Sequence, residues 1–112
     1  MAGRIERGEI RLHRFSRPDK ERPVVVLTSA TAIQFLSTVT IAPITSAVRG
    51  VASEVFLTEA DGMKGPCAVN LHNIVTIRKE DLGRRVASLS HARMAEVCAA
   101  IGFAFGCHST PE

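Results

Sequence analysis

Apolar positions along this 112-residue chain recur mainly with a period of two, and change to a helical period only near its end. Ile10 and Leu12 alternate with Glu9, Arg11 and His13, which predicts a half-buried strand over 8–13 with the charged set facing solvent. Arg4, Arg7, Arg11 and Arg14 also fall at helical spacing, but the residues between them supply no matching apolar face, so the strand is preferred. Residues 22–27 read Arg-Pro-Val-Val-Val-Leu, an almost unbroken apolar run suited to a strand covered on both faces. Pro23 has no N–H for a ladder and belongs at the start of that strand or on an edge. Residues 30–36 suit a short helix capped by Ser29. Further strands are expected at 38–44 and 53–57, with one or two more between 67 and 77, where Asn70, His72 and Asn73 interrupt the apolar run. Turn formers mark loops at 15–21, at Arg49-Gly50, at Asp61-Gly62 and at Gly65-Pro66. Residues 80–89 hold a turn and a short strand. After Ser90, the residues Met94, Val97, Cys98, Ile101 and Phe105 fall on one helix face, with Ser90 as N-cap and Gly106 as stop.

Many short strands followed by one amphipathic helix predict a mainly β, α+β fold: a small, strongly bent sheet or barrel packed on the helix. The length suits one domain, 1–112, with 1–7 and 107–112 as flexible ends. No apolar run approaches the roughly 18 residues of a membrane helix, and the charged N-terminus leads into no signal-like core, so the expectation is a soluble, cytoplasmic protein without a membrane partner.

Charge sharpens this picture. The net charge is +3, and residues 1–22 alone hold seven basic and four acidic side chains, so all of the excess sits in the opening strand and the loop after it. A polyanion or an acidic partner suits that asymmetry; a solvated basic end is the plainer alternative. Cys67, Cys98 and Cys107 are odd in number and widely spaced, which argues against a disulfide framework and a structural zinc site. Cys98 reads as a small core residue.

The strand at 22–27 opens on a guanidinium, and the strand at 38–44 runs out into Thr45 and Ser46. Arginine stays charged and presents a fork of donors that fits phosphate oxygens, while a threonine hydroxyl adds a smaller donor and acceptor. If the fold joins these two strand ends, they make a phosphate-oxygen site on a rigid sheet. These residues also carry a resemblance. RGEI (Arg7 to Ile10), RPVVVLT (Arg22 to Thr28), TVTIAPITS (Thr38 to Ser46), SEVFL (Ser53 to Leu57) and AVNLHNIVTI (Ala68 to Ile77) stand in the order and spacing of MazF/PemK-type toxins. The chain resembles that family from about Arg7 to the C-terminal helix.

The resemblance implies an SH3-like barrel with appended helices, a symmetric homodimer, and an endoribonuclease that cuts single-stranded RNA at a short sequence with neither metal nor cofactor. It also implies a cognate antitoxin whose acidic, flexible tail lies over the positive groove. Such chemistry uses the 2′-hydroxyl as nucleophile and leaves a 2′,3′-cyclic phosphate and a 5′-hydroxyl. By the family's pattern, Arg22 stabilises the charge on phosphorus and Thr45 positions the same phosphate, with Ser46 beside it. The acid–base group is less plain, because the loop at 15–21 is short and lacks the family's Gly-Ser-Glu-like motif. Glu21 beside Arg22, Asp19, His72 (where many relatives have aspartate) and His13 are the candidates; an imidazole titrates near neutrality, with an ordinary pKa of about 6.5. Arg11, Arg14, Arg17 and Lys20 are the expected phosphate contacts. Phe15 is the aromatic placed to stack a base, or else to anchor its loop to the core. A non-catalytic toxin of the gyrase-inhibitor type, or a catalytically decayed nucleic-acid-binding module on the same barrel, are the rival readings.

Overall fold

In the computed structural model, which describes residues 4–16 and 21–107, the order of elements is β1 (Glu9–Arg14), β2 (Glu21–Val26), α1 (Ala30–Phe35), β3 (Thr38–Thr45), β4 (Glu54–Leu57), β5 (Cys67–Asn70), β6 (Val75–Arg78), β7 (Arg85–Ser88) and α2 (His91–Ala104). Single 3-10 turns sit at Glu59–Asp61 and Lys79–Asp81. The strands pair antiparallel in the order β4-β5-β3-β2-β1-β7, and β6 also pairs with β3.

β3 bends the sheet. Its first half pairs with β6, from Thr38↔Arg78 to Ile41↔Val75, and its last two residues pair with β5, at Ile44↔Val69 and Thr45↔Ala68. One strand thus serves two sheets, and the result is a strongly bent half-barrel with α2 packed against it, the small bent barrel expected from the strand pattern. The core divides accordingly. Ile10, Val25, Ala42, Ile44, Val55, Leu57, Val69 and Leu71 close on Met94, Val97 and Ala100 of α2. On the other face, Val24, Val26, Val39 and Ile41 pack with Ile5, Ile33 and Leu82. The run Val24-Val25-Val26 is fully buried because it feeds both clusters in turn.

Four expectations change. The face of β1 expected to meet solvent is buried: Glu9, Arg11 and His13 are all enclosed, because β7 and the segment before it run along β1. There Gly83 N donates to the Leu12 carbonyl at 2.8 Å, and a Cβ at Gly83 would stand 2.6 Å from that oxygen, so only glycine permits the approach. Residues 4–7 are fixed rather than a loose end, since Ile5 is in the core and Arg7 Nε donates to the Leu27 carbonyl at 3.2 Å. Cys98 is exposed, not a core residue, and its Sγ accepts from Arg7 Nη2 at 3.1 Å. Phe105 is 59% exposed, so the buried stripe of α2 is Met94, Val97 and Ala100, with Ile101 at its margin. Both helix starts match expectation: Ser29 Oγ accepts from Ala32 N, and Ser90 Oγ from Arg93 N. No helix among the described residues is long and apolar enough to cross a membrane.

Candidate functional site

The β2–β3 ladder runs from Val26↔Ile41 to Val24↔Pro43 and stops there. Pro23, at the next hydrogen-bonded position, lacks the N–H that would carry it further, so the ladder between the two strands ends there. The same register, continued by two residues, sets Arg22 across from Thr45. Between and below them opens a cleft of about 640 Å³ lined by Glu21, Arg22, Thr45, Ser46 and Lys64 over an apolar floor that includes Leu12 and Ile44. Arg22 is exposed and makes no ion pair or hydrogen bond among the described residues, so its guanidinium is available to a ligand. Thr45 is half-buried, and its Oγ1 accepts from Ala47 N at 3.0 Å; this turn fixes the side chain and leaves the hydroxyl proton to donate.

Glu21 and Ser46 join Arg22 and Thr45 as expected. His72 does not. It is exposed in the turn at the end of β5 away from Cys67, and its Nδ1 shares a 2.5 Å hydrogen bond with Ser53 Oγ. Arg11 is not a phosphate contact either, since its guanidinium is buried against Glu9 and two carbonyls. Arg14 is exposed, across from Glu21 in the β1–β2 register. With Phe15 and His13 it lines a second hollow of about 540 Å³, which shares Leu12 and Glu21 with the cleft. Phe15 meets the His13 ring edge-on, centroids 4.8 Å apart, and packs against the smaller core, so it does anchor its loop. His13 Nδ1 lies 3.3 Å from the Asp81 carbonyl. Arg17, Lys20 and Asp19 lie outside the described residues.

The segment Gly62-Met63-Lys64-Gly65-Pro66, for which the sequence predicts only a loop, forms one wall of the cleft. A lysine between Gly62 and Gly65-Pro66 is the available signal; nothing in the sequence says which strand ends the loop will meet. Cys67 is also at the cleft, where burial and then the nearby Asp61 charge push its thiol up from the ordinary range, so it remains a protonated floor residue. Among the described residues no group of three His, Cys, Asp or Glu side chains is placed to hold a metal ion.

A bent half-barrel closed by a C-terminal helix, with a cationic cleft at the strand ends, is the fold of toxin endoribonucleases. The Mycobacterium tuberculosis toxin MazF-mt6 superposes with a TM-score of 0.81, at 37% identity, over 89% of this chain and 98% of that one. An endoribonuclease in complex with its cognate antitoxin, from mycobacterial species, shares the fold with a TM-score of 0.84 over 96% of this chain and 100% of that one, at 20% identity. Residues 6–105 match the family described as PemK-like, MazF-like toxin of type II toxin-antitoxin system, and the chain belongs to that family. In sequence it is 41% identical to endoribonuclease MazF3 of Mycobacterium tuberculosis over 87 residues, 78% of this chain and 84% of the relative. The probable endoribonuclease MazF2 of the same organism is 34% identical over 80% of this chain and 89% of its own length.

Proposed function

We propose that this toxin cleaves single-stranded RNA by attack of the substrate's own 2′-hydroxyl, without metal, and that an acidic antitoxin segment neutralises it by covering the cleft. The observation that carries the reading is that Arg22 and Thr45 line one cleft at the end of the β2–β3 ladder, with Glu21 as its one carboxylate among the described residues.

Attack forms the bond from the 2′ oxygen to phosphorus and breaks the bond from phosphorus to the 5′ oxygen. The products are a 2′,3′-cyclic phosphate and a 5′-hydroxyl. Arg22 holds the non-bridging oxygens as charge gathers on them; a single donor aimed at such charge is worth about 3–4 kcal/mol. Thr45 donates its hydroxyl to the same group. Glu21, the cleft carboxylate, accepts the 2′ proton, and the departing 5′ oxygen takes its proton from solvent. Single-stranded RNA suits the site, because the chemistry needs a 2′-hydroxyl and base reading needs unpaired edges. The hollow beside the cleft then takes a neighbouring base on the Phe15 side, with Arg14 along the backbone. Edge strand β4 leaves Phe56 half-exposed, which supports a homodimer as the working species.

The test is incubation with a long unstructured RNA in EDTA, beside Arg22→Ala, with the new ends mapped. Discrete cuts bearing 5′-hydroxyl and cyclic phosphate ends, absent from the variant, are expected. No cleavage by folded protein across varied RNAs would favour a non-catalytic toxin on the same barrel.

A further inference from the structure

Lys64 has no role in the strand-end chemistry, yet the fold takes pains over its position. It stands two residues after Gly62, in the loop that walls the cleft, and the start of that loop is pinned at three points. First, Thr58 and Asp61 form a reciprocal capping box: Thr58 N donates to Asp61 Oδ2 at 2.9 Å, and the Thr58 hydroxyl serves the 3-10 turn. Second, Arg93 of α2 grips the same carboxylate with both arms, Nε to Oδ1 at 2.9 Å and Nη2 to Oδ2 at 3.2 Å. Arg93 is itself braced by Glu96, whose two oxygens accept from Nη1 at 3.1 Å. Third, Gly62 adopts φ +89°, and a Cβ there would stand 2.9 Å from the Cβ of Ala87, so the loop lies directly on β7.

The ammonium held out by this arrangement is exposed and has no acidic partner among the described residues. Among the described residues three charged side chains line the cleft, Glu21, Arg22 and Lys64, and of these the lysine makes the balance positive. An unpaired ammonium on a loop braced at its base suits a phosphate, which lysine binds as a point charge without the bidentate geometry of arginine.

We propose that Lys64 binds a phosphate flanking the scissile one, and that the Arg93–Asp61 bridge is the positioning element that holds it there. This rests on the reading of the cleft as an RNA site. Lys64 is a binding residue, remote from the bonds that change, so its loss weakens binding and spares turnover at saturation.

The probe is a fully 2′-O-methylated RNA oligomer, which keeps its phosphates and cannot be cut. Its affinity is measured across a salt series for wild type, Lys64→Gln, Lys64→Arg, Arg93→Gln and the Lys64→Gln/Arg93→Gln double variant, beside kcat and KM on cleavable RNA. Lys64→Gln should weaken binding about tenfold and reduce the slope of log affinity against log salt by about 0.7, the value of one single-strand phosphate contact. Its kcat should stay put, and Lys64→Arg should retain most of the affinity. Arg93→Gln should raise KM in the wild-type background and add nothing to Lys64→Gln. An unchanged salt slope in Lys64→Gln, with wild type binding and cutting normally, overturns the Lys64 assignment alone. Equal effects of Arg93→Gln in both backgrounds overturn the positioning role. Wild type that binds no RNA removes the cleft reading and this one together.

Discussion

Arg11 is turned inward onto Glu9, with Nε 2.8 Å from Oε1 and both side chains almost fully buried. The rest of its fork is used too: Nη1 donates to the Gly83 carbonyl and Nη2 to the Arg4 carbonyl, each at 3.1 Å, while Glu9 Oε1 also accepts from Glu6 N at 3.0 Å. The pair therefore ties the N-terminal segment, β1 and the approach to β7 together. Breaking one partner of such a pair leaves a buried charge alone, which costs about 3–5 kcal/mol. Arg11→Met should lose that much in urea denaturation, and Glu9→Gln/Arg11→Met should recover part of it. At a temperature where Arg11→Met is folded, its RNA affinity should stay within about twofold of wild type, because a buried guanidinium meets no phosphate.

Arg22 and Thr45 should behave in the opposite way. Both stand at strand ends outside the two cores, so truncation should change stability by no more than about 0.5 kcal/mol. Activity should fall sharply: removing one donor from a site of developing charge costs about a hundred- to a thousandfold in turnover. Arg22→Ala should show that loss in kcat, with Arg22→Lys restoring little because an ammonium cannot offer the fork. Thr45→Ser should retain most activity and Thr45→Val little, since the hydroxyl is the working part. A Thr45→Val enzyme with normal kcat would reduce Thr45 to a strand-end residue.

The strands and the ends that carry Arg22 and Thr45 were legible in the sequence, because Val-rich runs, prolines and turn formers act locally. The half-barrel was legible only as a class. Which strand splits between two neighbours depends on β3 pairing with β5 and β6 at once, a long-range choice with no local signal. The fate of Arg11 shows the same limit. Alternation marks charged positions as outward, but it cannot see that β7 and Gly83 will cover that face; the i, i+2 spacing of Glu9 and Arg11, which puts them on one side of a strand, was the available hint. Cys98 and Phe105 fall on the helical stripe by spacing, but the residues of α2 that reach the core are Met94, Val97 and Ala100.

The Arg93–Asp61 bridge predicts an acid-side weakness. The Arg93 hydrogen bonds hold the Asp61 carboxyl below the ordinary carboxylate range, with the Thr58 amide assisting and burial opposing. A carboxylate whose folded pKa is lowered adds stability that is fully present above its unfolded pKa and is lost as pH falls through the folded one. Wild type should therefore exceed Asp61→Asn in stability near neutrality, and the gap should narrow as pH drops below about 4, the ordinary aspartate range. Parallel urea titrations at pH 7 and pH 3 check this; a gap that stays constant would mean that the carboxylate's charge contributes nothing.

Acid–base duty separates His72 from Glu21. The His72 imidazole satisfies the buried Ser53 hydroxyl, while its own amide donates to Asn70 Oδ1 at 3.1 Å, so both bonds hold the turn between β5 and β6. Removing that partner leaves a buried hydroxyl unpaired, which costs about 1–3 kcal/mol. His72→Ala should thus be less stable than wild type and cut RNA at a rate within about twofold of it at a temperature where both are folded. Glu21 is exposed at the cleft, so Glu21→Gln should leave stability alone and lower kcat by about a hundredfold or more. Measuring kcat and urea stability of both variants decides the assignment, because a group that only supports the fold changes stability and leaves the turnover of folded protein in place. Full turnover in Glu21→Gln, with turnover lost in folded His72→Ala, would hand the proton to the imidazole.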